Sequence, residues 1–279
     1  MKNSINTIII ALLVAAVLSQ AGPLLWRDPK TVEKGKFIVM AGIGYNKTTK
    51  SWNWNDEEWT DLQVNQQVTT ISSHFMFGYG VLNNTEILLH VPTAKKDRDT
   101  LHSLGIGDIW IKAKYCFMKG KNKPSAAALI ATRVPTSSEE ARPLIDDQTL
   151  DFAFGAKIAT PKFSNFVGHL KLAYWLNGTK DSVDLGDEIE AIVKIDYWFL
   201  KNAFAFINCE LVEGFRSIDD SGNELPNTGK RNLQVTPGLT IKPIPGLTVR
   251  PKVTFPVFAV NKGGNAFPYA VGIDIWYMP

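Results

Sequence analysis

From residue 36 onward, apolar and polar residues alternate with a period of two rather than 3.6, block after block. Such alternation puts apolar side chains on one face of a β-strand and polar ones on the other. Asp187 to Phe199 is the clearest block: Ile189, Ala191, Val193, Ile195, Tyr197 and Phe199 share one parity, and Glu188, Glu190, Lys194 and Asp196 share the other. Gly107 to Phe117 and Asp151 to Ala159 repeat the pattern. Reading all such blocks predicts twelve strands, over residues 37–45, 68–79, 85–92, 105–118, 125–135, 149–160, 166–177, 187–199, 202–213, 231–242, 247–257 and 267–278. Their lengths suit the ~9–11 residues of a tilted strand that crosses a bilayer.

The connections carry a second pattern. Residues 80–84, 119–124, 161–165, 200–201 and 243–246 are tight turns, and between them lie longer polar stretches over 46–67, 93–104, 136–148, 178–186, 214–230 and 258–266. Short and long connections alternate, and an even strand count leaves both ends of the strand array on the short-turn side. This predicts an all-β chain: a single transmembrane antiparallel β-barrel of about 12 strands over residues 37–279, with short periplasmic turns and longer extracellular loops, preceded by a periplasmic N-terminal segment over 22–36. In hydrocarbon every backbone amide needs a partner, so strands can span only as a closed barrel whose outward parity is apolar.

The polar parity is then expected to line the lumen: Glu86, His90, Asp108, Lys112, Lys114, Arg133, Lys157, His169, Lys171, Glu188, Glu190, Lys194, Asp196, Glu210, Arg250, Lys252 and Asp274. A soluble sandwich or lipocalin has the reverse arrangement, apolar inside and charged outside. Parity alone does not say which face is inside; strand number, loop plan and the N-terminus favour the membrane barrel. Aromatics near strand ends, among them Tyr45, Tyr79, Tyr115, Phe117, Tyr174, Tyr197, Phe199 and Tyr277, fit interfacial girdles. Pro237, Pro251 and Pro256 remove ladder donors in a barrel that has no edge strand, so bulges or shortened pairing are expected there.

The N-terminus reads as an export signal. Met1-Lys2-Asn3 leads into the apolar run Ile8 to Leu18 and then Ser19-Gln20-Ala21, which places a signal peptide over residues 1–21 with cleavage after Ala21. The run is too short to span a bilayer as a helix. With the strand pattern, this points to the bacterial outer membrane, with outer-membrane lipid around the wall.

Composition adds exclusions. The chain is 45% hydrophobic and 20% charged, with a mean hydropathy of −0.05, an average that arises because outward and inward residues cancel. No apolar run downstream of the signal is long enough for a membrane helix, which excludes a helical transporter. Thirty Lys and Arg against 27 Asp and Glu give no electrostatic footprint for nucleic acid. The two cysteines, Cys116 and Cys209, fall on opposite parities, so no intrachain disulfide is expected.

Candidate chemistry is thin. His74, His90, His102 and His169 show no helix-type pair spacing and no cysteine partner, so neither metal nor cofactor is expected, and no catalytic residue is assigned. A barrel hydrolase built on His74 or His169 is the enzymatic alternative, but no nucleophile motif accompanies either ring. Gly105-Ile106-Gly107 lacks the rest of a dinucleotide loop, and the basic run 119–123 reads as a solvated turn. The acidic, Trp-rich stretch from Trp52 to Trp59 is either a binding loop at the mouth or a fold-over of the rim.

Several segments carry a family resemblance. Arg27-Asp28-Pro29-Lys30-Thr31-Val32-Glu33-Lys34-Gly35-Lys36-Phe37, the hairpin from Phe77 through Asn83-Asn84 to Ile87, the strand Gly105-Ile106-Gly107-Asp108-Ile109-Trp110-Ile111-Lys112-Ala113-Lys114-Tyr115, and Ala131-Thr132-Arg133-Val134-Pro135-Thr136 resemble the MetA-pathway-of-phenol-degradation family. The resemblance runs in order from about Arg27 to the C-terminus. It implies an outer-membrane channel for passive movement of small, aromatic or hydrophobic, solutes. A closed structural or adhesive barrel with binding loops is the alternative. A monomer is expected, and Tyr277 is left to serve as the C-terminal aromatic that barrel-insertion machinery reads.

Overall fold

The computed structural model describes residues 29–120, 122–138 and 140–279; the expected signal peptide, 1–21, and residues 22–28 lie outside the described residues. Twelve long strands form the wall: β1 (Phe37–Thr48), β2 (Val68–Leu82), β3 (Thr85–Arg98), β4 (Ile109–Met118), β5 (Ser125–Val134), β6 (Asp151–Ala159), β7 (Phe166–Leu176), β8 (Glu188–Leu200), β9 (Ala203–Gly214), β10 (Lys230–Ile241), β11 (Leu247–Pro256) and β12 (Ala270–Tyr277). Each pairs antiparallel with its neighbours in sequence, and β12 returns to β1 with Val39 opposite Tyr277 and Asn46 opposite Ala270, so the sheet closes. Closure leaves no unpaired edge.

The period-two pattern produces two unlike faces. On the outside Ile111, Ile130, Phe154 and Val193 are 46%, 63%, 54% and 49% exposed, whereas on the inside Lys112, Lys114, Lys171 and Glu190 are 0%, 1%, 1% and 2% exposed. That economy is the inverse of a soluble domain. Near the short turns the outer face carries exposed Phe37, Phe77, Tyr79, Tyr115, Phe117, Phe166, Tyr197, Phe199 and Tyr277. Some pair across strands, Phe166 with Tyr197 at 5.0 Å between ring centres and Phe37 with Phe77 at 6.1 Å.

Two departures from simple alternation shape the interior. The pattern over 105–118 reads as one strand, but the chain breaks at Gly107-Asp108. Leu101–Ile106 instead pairs with the outer end of β3, Thr93 opposite Ile106 through Arg98 opposite Leu101, as a hairpin above the wall. At this break the Asp108 carboxylate accepts the N–H groups of Thr136, Ser137 and Gln148 from the β5–β6 connection. Pro237 and Pro251 shorten the β10–β11 pairing without shifting it. Gln234–Pro256, Val235–Phe255, Gly238–Lys252 and Ile241–Val249 remain paired, and the rungs beside the two prolines drop out.

Candidate functional site

The interior of the barrel divides into two halves. One, walled by β2 to β8, is filled. Trp110 and Trp175 meet edge to face at 5.1 Å between ring centres, and Met76, Leu88, Ala131, Ala153 and Ala173 pack around them. Small alanines on β5 to β7 make room for the two indoles. Charged side chains thread this packing in pairs. Glu86 and Lys114 lie 2.9 Å apart; Lys171 is paired with Glu190, which also accepts the Trp175 indole N–H at 3.2 Å. Lys112 Nζ sits 3.3 Å from His90 Nδ1 and 4.4 Å from the Trp110 ring centre. Arg133 binds Asp151, and its guanidinium reaches Asp147 at 2.9 Å. Charges so deep persist only when paired and hydrogen-bonded.

Both ends of this half are covered. At the short-turn end the N-terminal segment lies inside the wall: Val32 is 1% exposed, its N–H donates to Glu86 Oε2 at 2.6 Å, and Lys114 Nζ donates to the Lys30 carbonyl at 2.7 Å. Gly80 permits the approach, since a Cβ there would stand 2.1 Å from the Glu33 carbonyl oxygen. At the long-loop end the connection between β5 and β6 folds over the rim, its Leu144 and Ile145 carbonyls accepting Lys96 Nζ at 2.7 and 3.0 Å. Desolvation pushes the Asp147 carboxyl in this connection up to about 7 against the pull of Arg133, with Asp146, Asp151 and Asp108 adding to the rise. Asp108, Asp146 and Asp147 approach one another closely enough to share an ion, but Asp108 already accepts four donors, and Arg133 supplies the cation.

The other half, walled by β8 to β12 and closed by parts of β1, β2, β6 and β7, holds a cavity of about 620 Å³. Its lining includes the turn residues Lys201, Asn202, Lys242 to Gly246 and Met278, so the cavity reaches the short-turn end. Lys157, His169, Lys194, Asp196, Glu210, Arg250, Lys252 and Asp274 all line it. Asp196 accepts Lys194 at 2.7 Å and lies 3.0 Å from His169 Nε2; Asp274 takes Lys252 at 2.9 Å, with His74 at 3.8 Å. Six lysines and arginines in the lining face three carboxylates, a cationic excess. Glu188 stands apart at the long-loop rim, bound to Lys230 at 2.6 Å.

The charged residues named from sequence thus fall into three places: Glu86, His90, Lys112, Lys114, Arg133, Lys171 and Glu190 in the filled half, the eight cavity residues in the other, and Asp108 and Glu188 at the long-loop rim. Parity reasoning did not single out the inward aromatics Trp110, Trp175, Trp198, Phe204, Phe206 and Trp276, although they share parity with Lys112, Lys171, Asp196, Glu210 and Asp274. It also missed Pro29–Val32 as a filler of the interior. His169 has Asp196 as its hydrogen-bonding partner, and no serine, threonine or cysteine joins it among the described residues. In the Trp-rich loop, Trp52 packs edge-on to Trp54 and Trp59, and Trp59 to Phe258, so these rings contact one another.

No protein-family model and no characterised protein sequence matches the chain. Among solved structures it is similar to the COG4313 outer membrane channel from Pseudomonas putida F1, with a TM-score of 0.76, 10% identity, and coverage of 93% of this chain and 100% of that one. It is also similar to the NanC porin, with a TM-score of 0.55 and 10% identity over 85% of this chain and 98% of that one. The KdgM porin in complex with disordered oligogalacturonate gives a TM-score of 0.50 at 9% identity, over 86% and 98% of the two chains. At these identities the likeness establishes the fold alone, a closed antiparallel β-barrel.

Proposed function

We propose that this protein is a monomeric channel of the bacterial outer membrane, set in outer-membrane lipid, that passes small solutes by diffusion rather than transforming them. The observation that carries this reading is the pairing of an apolar outer face with a polar interior that keeps a cavity of about 620 Å³ at its short-turn end. Charged lumen walls of this kind set selectivity by field and radius. The cationic excess of the lining favours anions, and the aromatic rings among it favour planar or hydrophobic solutes, in keeping with the resemblance to the MetA-pathway-of-phenol-degradation family. Delivery to the membrane would fall to barrel-insertion machinery.

One observation favours a second reading. Lys112, Lys114, Lys171 and Glu190 are buried among paired charges and indoles, and a barrel filled in this way throughout would be structural, with its loops as the working part. Conductance of the refolded protein in planar bilayers separates the two. Discrete current steps with anion-selective reversal potentials are expected. Absence of steps at every voltage would leave only the closed barrel, and lipid turnover in detergent micelles lost on His169→Ala would move the assignment to a hydrolase.

A further inference from the structure

Arg250 differs from the other deep cations of the barrel. Its Cζ lies 4.5 Å from the Trp276 ring centre and 5.2 Å from that of Phe206, so the guanidinium is flanked by two aromatic rings. Gly238 makes the Phe206 position possible, because a Cβ there would stand 2.4 Å from the ring. Among the described residues, the acceptor at its edge is the Thr240 hydroxyl, 3.3 Å from Nε. Asp274 is directly opposite Arg250 in the β11–β12 register, yet its carboxylate is taken by Lys252 at 2.9 and 3.1 Å. No carboxylate of the described residues lies within ion-pair distance of Arg250. Glu210 lines the same cavity but sits opposite Gln234, six residues farther along β10 from Thr240.

A guanidinium stacked on rings keeps its in-plane N–H fork for an acceptor, and the fork matches a carboxylate with two parallel hydrogen bonds. Here Arg250 lines a cavity that reaches the short-turn end and has Phe204, Trp198 and Met40 in its lining. We propose that Arg250 is the anchor of a binding site for small aromatic carboxylates, with the carboxylate on the guanidinium edge and the ring against the neighbouring aromatic wall. The inference deepens the channel reading, on which it rests for the solute's route. Its content is that the cavity is a solute-binding station selecting for an anion joined to a planar apolar group.

Benzoate titrated into the detergent-refolded full chain, followed by calorimetry, tests it. Saturable binding is expected, weakened about tenfold or more by Arg250→Gln, as the loss of a charge-assisted hydrogen-bond pair predicts. Benzyl alcohol, which keeps the ring and lacks the anion, should bind about tenfold or more weakly than benzoate. Trp276→Leu, which leaves the charge in place, should also weaken benzoate, and it carries the test if Arg250→Gln does not fold. No saturable binding to the native protein, equal affinity for benzyl alcohol, or benzoate affinity unchanged in a folded variant each overturns the site. Potassium chloride conductance of the same preparation judges the channel separately: benzoate binding through Arg250 in a protein that carries no current keeps the site and ends the channel reading.

Discussion

The two halves of the barrel interior are built from the same alternation and end in different states. Between β2 and β8 every buried charge has a partner, two indoles fill the space between, and the N-terminal segment and the β5–β6 connection cover the ends. Between β8 and β12 the threonines and Asn208 leave volume, and Arg250 keeps its fork without a carboxylate. The difference lies in bulk and pairing across the lumen rather than in polarity along any one strand. A charged inward face is therefore compatible with both a plug and a passage, and which results depends on what stands across from it.

The largest contrast should come from removing one partner of a pair in each half. Glu190→Ala strands Lys171 in a dry setting and frees the Trp175 N–H, so denaturant unfolding of the refolded barrel should show a loss of about 3–5 kcal/mol. Asp196→Ala removes the acceptor of Lys194 and His169 beside the cavity, where water can replace it, and should lose only about 1–2 kcal/mol. Equal losses would show that the two halves are equally dry. Next in size, Ile130→Arg, on the outer face at 63% exposure, should lose about 2–4 kcal/mol in lipid vesicles. A neutral result would mean that this face does not lie against hydrocarbon. Arg231→Ala, breaking a rim pair with Glu213 at 2.5 and 2.9 Å that is half in solvent, should change stability by only about 0.2–1 kcal/mol.

The smallest effect is a pH dependence in the cap over the filled half. Asp147 has a folded pKa of about 7, above its ordinary value of 3.8. Well below pH 3.8 it is protonated folded and unfolded alike, so it contributes nothing. Between 3.8 and 7 the unfolded chain releases the proton before the folded one does, so the folded state loses stability as pH rises through that window. Its side chain is 39% exposed, which keeps the change small and local. Amide exchange in residues 140–150 should speed up from pH 4 to 7 relative to the rest of the barrel, and Asp147→Asn should flatten the profile.

Much of this was legible along the chain. Alternation over Glu188–Trp198 is regular because successive side chains take the outer and inner faces in turn, and the short and long connections announce the up-and-down order of a closed sheet. The strand break at Gly107-Asp108 was not legible, because Asp108 has the parity of its strand, and the loop donors of Thr136, Ser137 and Gln148 that its carboxylate accepts are brought near only by folding. Trp110 and Trp175 were equally hidden: an inward indole reads as a lapse in the polar face until the alanines of β5 to β7 are seen to leave space for it.

What the amino-acid order determines by itself is therefore the wall. Period-two patterning and turn spacing are properties of neighbours in sequence, and they set strand number, direction and the sign of each face. The contents of the wall were decided only in three dimensions. Pairing of Lys171 with Glu190, entry of Val32 beside Glu86, and the diversion of Asp274 from Arg250 to Lys252 are contacts across or along the lumen between side chains on different strands and segments. Their outcome depends on distance and volume, which the closed barrel creates and no local pattern encodes.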